Sequence, residues 1–73
     1  MNELNVEAVA LAHEDKHEEA IEKYTKAIAG SEDASSLLAV FLANRAHSLI
    51  SLGKLDEAIA DCSRAQVLEP TML

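Results

Sequence analysis

Two histidines near the start of the chain have the spacing of zinc ligands in a class of hydrolytic sites. The stretch from His13 to His17 is H-E-D-K-H, which matches the pattern H-E-x-x-H. On one continuous helix, residues four apart lie on the same face, so both imidazoles can hold zinc while the glutamate acts as a general base. Such a site also needs a third ligand and an open position for water. The surrounding elements decide whether this chemistry is available.

The composition favours a small all-α protein. The chain has 73 residues, enough for one small domain, and Tyr24 and Phe41 are its only aromatic side chains. Alanine, leucine and glutamate dominate, which is typical of helices that pack through small contacts. The net charge of −7 would repel nucleic-acid phosphates and anionic membrane surfaces. We therefore expect neither nucleic acid nor membrane as a partner.

Cysteine content and hydropathy predict a cytoplasmic setting. The single cysteine, Cys62, has no internal disulfide partner, so a secreted disulfide scaffold is not expected. The chain does not open on a charged segment followed by an apolar run, so no signal peptide is expected. The apolar run at 37–43 is far shorter than the roughly 20 residues of a membrane span.

The sequence aligns with itself when it is shifted by 38 residues. Within residues 16–28 the shift pairs identical residues at five of thirteen positions: Lys16/Lys54, Glu19/Glu57, Ala20/Ala58, Ile21/Ile59 and Ala27/Ala65. Upstream it also pairs Leu4 with Leu42, Ala8 with Ala46 and Leu11 with Leu49. Two copies of one helical hairpin are the simplest account, and helical periodicity predicts four helices at about 2–14, 17–29, 33–52 and 55–68. The small side chains predicted at the helix crossings are Ala8, Ala20, Ala46 and Ala58. Gly30 and Gly53 are predicted to end helices in the left-handed conformation.

The repeat argues against the zinc site. It places the turn between two helices at His13 to His17, so the two histidines would not share one helix. His17 occupies the position of Leu55 in the second copy, which indicates a half-buried residue. The match to H-E-x-x-H is therefore interpreted as accidental, and no metal, cofactor or catalytic residue is expected.

The two copies resemble the tetratricopeptide repeat family. The matching residues of the first copy are Ala8, Leu11, Ala20, Tyr24 and Ala27, and those of the second are Ala46, Leu49, Gly53, Ala58, Ala65 and Pro70. Glu32 stands where the family has proline, and Cys62 where it has an aromatic. The family spacing is about 34 residues, so a spacing of 38 predicts one extra helical turn near 31–38. Cys62 is expected to be a small core residue.

The resemblance implies a fold and an organisation. It implies two helical hairpins of antiparallel helices in a short right-handed α-solenoid. Residues 1–73 would form a single domain, with repeat one at 1–30, an extended linker and helix start at 31–38, and repeat two at 39–70.

The second copy is most similar to repeats of co-chaperones, such as J-domain co-chaperones and heat-shock chaperone adaptors. That resemblance implies a non-enzymatic adaptor whose groove binds the acidic C-terminal tail of a chaperone. In those repeats an asparagine in the context of Asn44 helps to hold the terminal carboxylate. This chain has Asn5 and Val9 where the family's carboxylate clamp has lysine and asparagine, so the clamp is incomplete.

In the family, the first helix of each repeat lines the groove. The groove residues that this implies are Asn2, Asn5, Val9, Ala12 and His13, and Val40, Ala43, Asn44, His47 and Ser51.

A second function is also open, an assembly module whose groove is unused. Two repeats without a polar end leave the outer side of the last helix apolar, at Ile59, Cys62, Val67 and Leu68. We therefore expect self-association into a homo-oligomer, with exchange of a hairpin through residues 30–36 as one route. A third alternative is that the chain is part of a longer protein that completes the clamp beyond Leu73.

Overall fold

The protein is all-α, as its composition and periodicity predict. The computed structural model describes residues 3–31 and 36–70. Four helices follow one another: α1 at Glu3–His13, α2 at His17–Ala29, α3 at Ser36–Ser51 and α4 at Leu55–Leu68. The predicted starts of α1 and α3, at 2 and 33, lie outside the described residues. The predicted extra turn near 31–38 is described only in part. Residues 36–38 belong to α3, and residues 32–35 lie outside the described residues.

The turns inside the two hairpins are the same structure, 38 residues apart. Asp15, between α1 and α2, has φ of 62°, and Gly53, between α3 and α4, has φ of 79°. In the first turn the Lys16 amide donates to the Leu11 carbonyl at 2.9 Å, and in the second the Lys54 amide donates to Leu49 at 2.8 Å. This hydrogen bond between residues five apart closes a Schellman motif in each turn. The repeat detected in the sequence is therefore a repeat of backbone conformation.

Gly30 corrects one of the two glycine predictions. Its φ is −87°, in the right-handed region, and its amide bonds the Lys26 carbonyl at 3.1 Å. The Ser31 hydroxyl also donates to the Ala27 carbonyl at 2.7 Å. α2 thus ends in a right-handed turn, because local hydrogen bonds satisfy its last carbonyls without a left-handed residue. Gly53 confirms the other prediction.

Alanines hold the helices close together. Each hairpin packs on itself, α2 also packs on α3, and α1 makes a smaller contact with α3. Ala8, Ala20 and Tyr24 form the core of the first hairpin, and Ala46, Leu49 and Ala58 form part of the second. The four alanines predicted at helix crossings are all at most 2% exposed.

The α2–α3 interface joins the two hairpins. Leu38, Ala39, Leu42 and Ala65 are buried together, with Ile28 of α2 packed against them. Ile21 of α2 packs against Ala46 and Leu49. The contacts of α3 with α1 and α2 leave one side of the molecule concave, and they bring side chains from three helices to one cavity.

Cys62 was predicted to be buried and is exposed. Its counterpart in the first copy, Tyr24, is only 2% exposed, because α3 closes over the first hairpin. Among residues 3–31 and 36–70, no helix covers the second hairpin in the same way. The position of Cys62 in the repeat predicts burial only where another helix follows.

Membrane insertion finds no support in these helices. None of the helices in the described part of the chain is both long enough and apolar enough to span a bilayer.

Candidate functional site

A cavity of about 310 Å³ opens on the concave side, where α1, α2 and α3 meet. We call it the histidine groove, because all three histidines of the chain line it. Its lining residues are Val9, Ala12, His13, His17, Tyr24, Asn44, His47 and Ser48. The apolar lining residues are Val9 and Ala12, and the others carry three imidazoles, one amide and the hydroxyls of Ser48 and Tyr24.

Most of the predicted groove residues meet here. Val9, Ala12 and His13 lie on α1, and Asn44 and His47 lie on α3. Asn5 borders the groove through a hydrogen bond, in which the Asn44 Nδ2 donates to the Asn5 Oδ1 at 3.1 Å. The structure therefore brings the first helices of the two copies together, as the repeat predicts.

Other predicted residues do not line the cavity. Val40 and Ala43 are half-buried on α3, away from its lining. Ser51 is the last residue of α3, and its hydroxyl donates back to the His47 carbonyl at 3.2 Å. Asn2 lies outside the described residues. The cavity lining instead includes residues on both sides of the turn between α1 and α2, His13 and His17.

The H-E-x-x-H pattern is divided between two helices. His13 is the last residue of α1 and His17 is the first of α2, with the left-handed Asp15 between them. The two imidazoles therefore cannot use the four-residue spacing of one helix. Both nevertheless line the groove, where His47 of α3 joins them.

His17 is the best anchored of the three histidines. Its Nδ1 lies 3.4 Å from the Oγ of Ser48, a fully buried hydroxyl. Its Nε2 lies 3.7 Å from the Oδ1 of Asp15, whose side chain is almost wholly exposed. His13 and His47 are exposed. Two imidazoles therefore face solvent at the mouth of the groove, and a third is held deeper.

Metal ligation was tested against the whole described structure. Among residues 3–31 and 36–70, no three or more His, Cys, Asp or Glu side chains are grouped as metal ligands would be. Asp15 forms an ion pair with His17, and its side chain is almost wholly exposed to solvent. The described side chains therefore give no donor set for a metal centre.

Tyr24 forms part of the groove wall and of the core. It is 2% exposed and packs with Ala8 and Ala20. Burial raises the pKa of its phenol above the ordinary value. The phenol therefore stays neutral over the physiological range and offers the groove a polar group without charge.

A second polar cluster ties three helices together on another side of the molecule. The Arg45 Nε donates to the Asp61 Oδ2 at 2.7 Å, and the second terminal nitrogen donates to Oδ1 at 2.8 Å. The first terminal nitrogen donates to the Thr25 Oγ1 at 3.2 Å. The hydrogen bonding of the guanidinium to the Asp61 carboxylate is the main reason that the pKa of Arg45 is raised. Both charges are partnered and largely covered, so this cluster is a structural tie.

The outer side of α4 is the third candidate surface. We call it the α4 face, and it consists of six residues of α4, Leu55, Ala58, Ile59, Cys62, Ser63 and Gln66, together with Ile50 near the end of α3. Ile59 is 63% exposed and Leu55 is 57% exposed. In the first copy Ile21, the counterpart of Ile59, packs against α3 and α4. The predicted apolar, uncovered side of the last helix is confirmed at Ile59, Cys62 and Val67, whereas Leu68 is half-buried.

Sequence reasoning missed three residues of the groove: His17, Tyr24 and Ser48. His17 and Tyr24 belong to α2, which in the resemblance does not line the groove. The available signal was the motif itself, since the turn that separates His13 from His17 also reverses the chain and brings their side chains to one place. Ser48 carried no signal, because its burial depends on contact with His17 across 31 positions of sequence.

The comparisons leave the family assignment as a resemblance. No protein-family model, no curated protein and no solved structure matches this chain.

Proposed function

We propose that this protein is a non-enzymatic interaction module of tetratricopeptide type, and that it binds a peptide segment of a partner in the histidine groove. The observation that carries the proposal is the convergence of α1, α2 and α3 on one open cavity whose lining combines apolar side chains with imidazole, amide and hydroxyl groups. Binding sites of this kind combine apolar contact area with a small number of oriented polar groups. A cytoplasmic co-chaperone, with an acidic chaperone tail as its ligand, is the specific form of this proposal.

Asn44 is the residue we expect to orient the ligand. Its amide carries two N–H donors on Nδ2, and the Asn5 Oδ1 accepts one hydrogen bond from that nitrogen. The second N–H can therefore donate to a peptide carbonyl or carboxylate in the groove. The amide supplies direction without fixed charge, which suits a ligand that must be released.

The test is a fluorescence titration with the peptide Glu-Glu-Val-Asp. The peptide is used with its C-terminus free and with its C-terminus amidated, against the natural chain and Asn44→Ala. We expect saturable binding of the free peptide, weakened by amidation and by Asn44→Ala. Ser63→Ala, on the α4 face, is the matched control and should bind as the natural chain does. Equal binding by Asn44→Ala would remove the groove from the proposal.

The α4 face supports a second candidate function, self-assembly. It has the exposed apolar side chains of a helix interface, and its counterpart in the first copy is covered by α3. At the other end of the molecule, α1 has Val6 as its one exposed large hydrophobic side chain, beside the exposed Glu3 and Glu7. A second copy would therefore bury the α4 face against another α4 face, in a symmetric dimer, better than against α1.

Light scattering under reducing conditions tests the dimer. The natural chain should have twice the mass of the monomer at high concentration, and Ile59→Lys should be monomeric. Val6→Lys adds the same charge at the opposite end and should leave the dimer intact. This candidate would be contradicted if the natural chain were a monomer. It would also be contradicted if Val6→Lys dissociated the dimer and Ile59→Lys did not. Exchange of a hairpin through residues 30–36 is not needed for it.

A further inference from the structure

The histidine groove differs electrostatically from the rest of the molecule. The chain carries thirteen acidic side chains and a net charge of −7, yet no acidic side chain in the described part of the chain is among the groove's lining residues. No lysine or arginine lines it either. The groups there that can gain positive charge are the imidazoles of His13, His17 and His47.

The charged groups around the groove are largely engaged elsewhere. In the turn between α1 and α2, Lys16 Nζ pairs with Glu14 at 3.4 Å. Between the same two helices, Lys23 Nζ pairs with Glu7 at 3.1 Å.

The remaining charged neighbours can be named helix by helix. The exposed Asp15 is the carboxylate that approaches a groove imidazole, 3.7 Å from His17. On α3 the nearest permanent charge in sequence, Arg45, is bonded to Asp61 of α4. Tyr24 of α2 is neutral, and α4 contributes no residue to the lining. The charge of the groove is thus set by its histidines.

Histidine is the side chain whose charge changes between about pH 5 and pH 8. When the imidazoles are neutral, each has one N–H donor but no positive charge, beside the amide of Asn44 and the hydroxyl of Ser48. When they are protonated, three N–H-bearing cations from three helices surround one cavity. Hydrogen bonds between a cation and a carboxylate are roughly twice as strong as those between neutral groups.

We propose that the histidine groove binds a carboxylate of an acidic peptide through its protonated histidines, so that binding strengthens as the pH falls. This inference rests on the proposed function and specifies its ligand and its regulation. It also gives the histidines of the H-E-D-K-H stretch a role other than metal ligation, as donors to a carboxylate of the ligand. A carboxylate is the anionic group meant, because every peptide can present one at its C-terminus.

The experiment measures the dissociation constant of Glu-Glu-Val-Asp by calorimetry at about pH 6 and about pH 7.5, on either side of the ordinary pKa of histidine. The neutral peptide Gln-Gln-Val-Asn, amidated at its C-terminus, is measured in parallel. We expect the acidic peptide to bind about tenfold tighter at the lower pH, and the neutral peptide to show no such change. The double variant His13→Gln, His47→Gln should lose most of the pH dependence.

Two further variants keep the result interpretable. Lys54→Gln removes one positive charge outside the groove, at the counterpart of Lys16, and should retain the pH dependence. The single variant His47→Gln alters one exposed side chain of α3 and should reduce the pH dependence. It replaces the double variant in the comparison if the double variant does not fold. Circular dichroism at both pH values establishes which variants remain helical.

The outcomes separate the two proposals. Saturable binding with equal affinity at both pH values would overturn the role of the histidines and leave the proposed function standing. A pH dependence of full size in the double variant would also overturn it, because the two exposed imidazoles at the mouth of the groove would then make no contribution. No binding at either pH would overturn both proposals.

Discussion

At the residue scale, two turns of identical backbone conformation contain different residues. The left-handed position is Gly53 in the second hairpin and Asp15 in the first. Glycine adopts positive φ without strain, and aspartate tolerates it better than most residues. Gly30, by contrast, has φ of −87°, and a Cβ placed there would make only ordinary contacts, the nearest at 3.6 Å. The two glycines therefore have opposite sensitivities to the same substitution.

We predict that Gly53→Ala lowers the free energy of unfolding by about 1 kcal/mol. Gly30→Ala should raise it by about 0.4–1 kcal/mol, because alanine restricts the unfolded chain without straining the native one. Urea denaturation followed by circular dichroism measures both. Equal effects of the two substitutions would contradict the assigned turn geometries.

Tyr24 gives a second prediction at this scale. Burial raises the pKa of its phenol above the ordinary value of about 10, so the folded state holds this proton more firmly than the unfolded chain. The stability contributed by the neutral phenol is fully present below about pH 10 and is lost as the pH rises through the folded-state pKa.

Near-ultraviolet absorbance follows this ionisation cleanly, because Tyr24 is the only tyrosine. The phenol should ionise at a higher pH in the folded chain than in the chain denatured by urea. A coincident ionisation in both states would place the phenol in water, contrary to the structure.

At the element scale, the chain's own repetition carried most of the prediction. Helical periodicity and the shift of 38 residues correctly placed α2 and α4 and the turn at Gly53. Four residues that the family resemblance implies for a groove, Val9, His13, Asn44 and His47, line one cavity of the structure. Periodicity works here because each helix buries one stripe of small and aliphatic residues.

Burial and contacts that depend on a helix outside the hairpin could not be predicted from the sequence. Cys62 occupies a core position of the repeat, but burial there needs a helix that the second hairpin lacks in the described structure. The Arg45–Asp61 pair joins two helices and Thr25 of a third, and no spacing along the chain predicts it. The contribution of α2 to the groove was missed for the same reason.

The Arg45–Asp61 pair gives the prediction for this scale. Asp61→Asn keeps the shape of the side chain but removes the charge that faces a largely covered guanidinium. We expect the free energy of unfolding to fall by about 1–3 kcal/mol. Glu22→Gln, at an exposed position on α2, is the control and should change it by less than about 0.5 kcal/mol.

Thermal denaturation of both variants would measure the difference. A loss no larger for Asp61→Asn than for Glu22→Gln would mean that the pair behaves as an ordinary surface ion pair, which contributes little. The pKa of Arg45 is raised, mainly by its hydrogen bonding to Asp61, so the guanidinium keeps its charge during the measurement.

At the scale of the whole molecule, the two ends differ. α1 presents glutamates to solvent, whereas α4 presents isoleucine, leucine and valine. A chain this short buries only about 60% of the surface that it exposes when unfolded, so covering one further apolar face is a large addition. Stability should therefore depend on whatever covers the α4 face.

This dependence predicts a concentration effect. If two copies pair through the α4 face, the midpoint of thermal unfolding should rise with protein concentration, because association stabilises only the folded state. Ile59→Lys should remove the rise and Val6→Lys should not. A midpoint of the natural chain that is independent of concentration would contradict pairing.

The exposure of Cys62 has a practical consequence for anyone who handles this protein. It is the only thiol of the chain and it lies in the open on the α4 face, so air oxidation can link two molecules covalently at that face. Kept reduced, the same thiol is a unique site for attaching a solvent-sensitive dye. Because the dye would stand on the α4 face and away from the histidine groove, its emission would report what covers that face while the groove remains free for ligand.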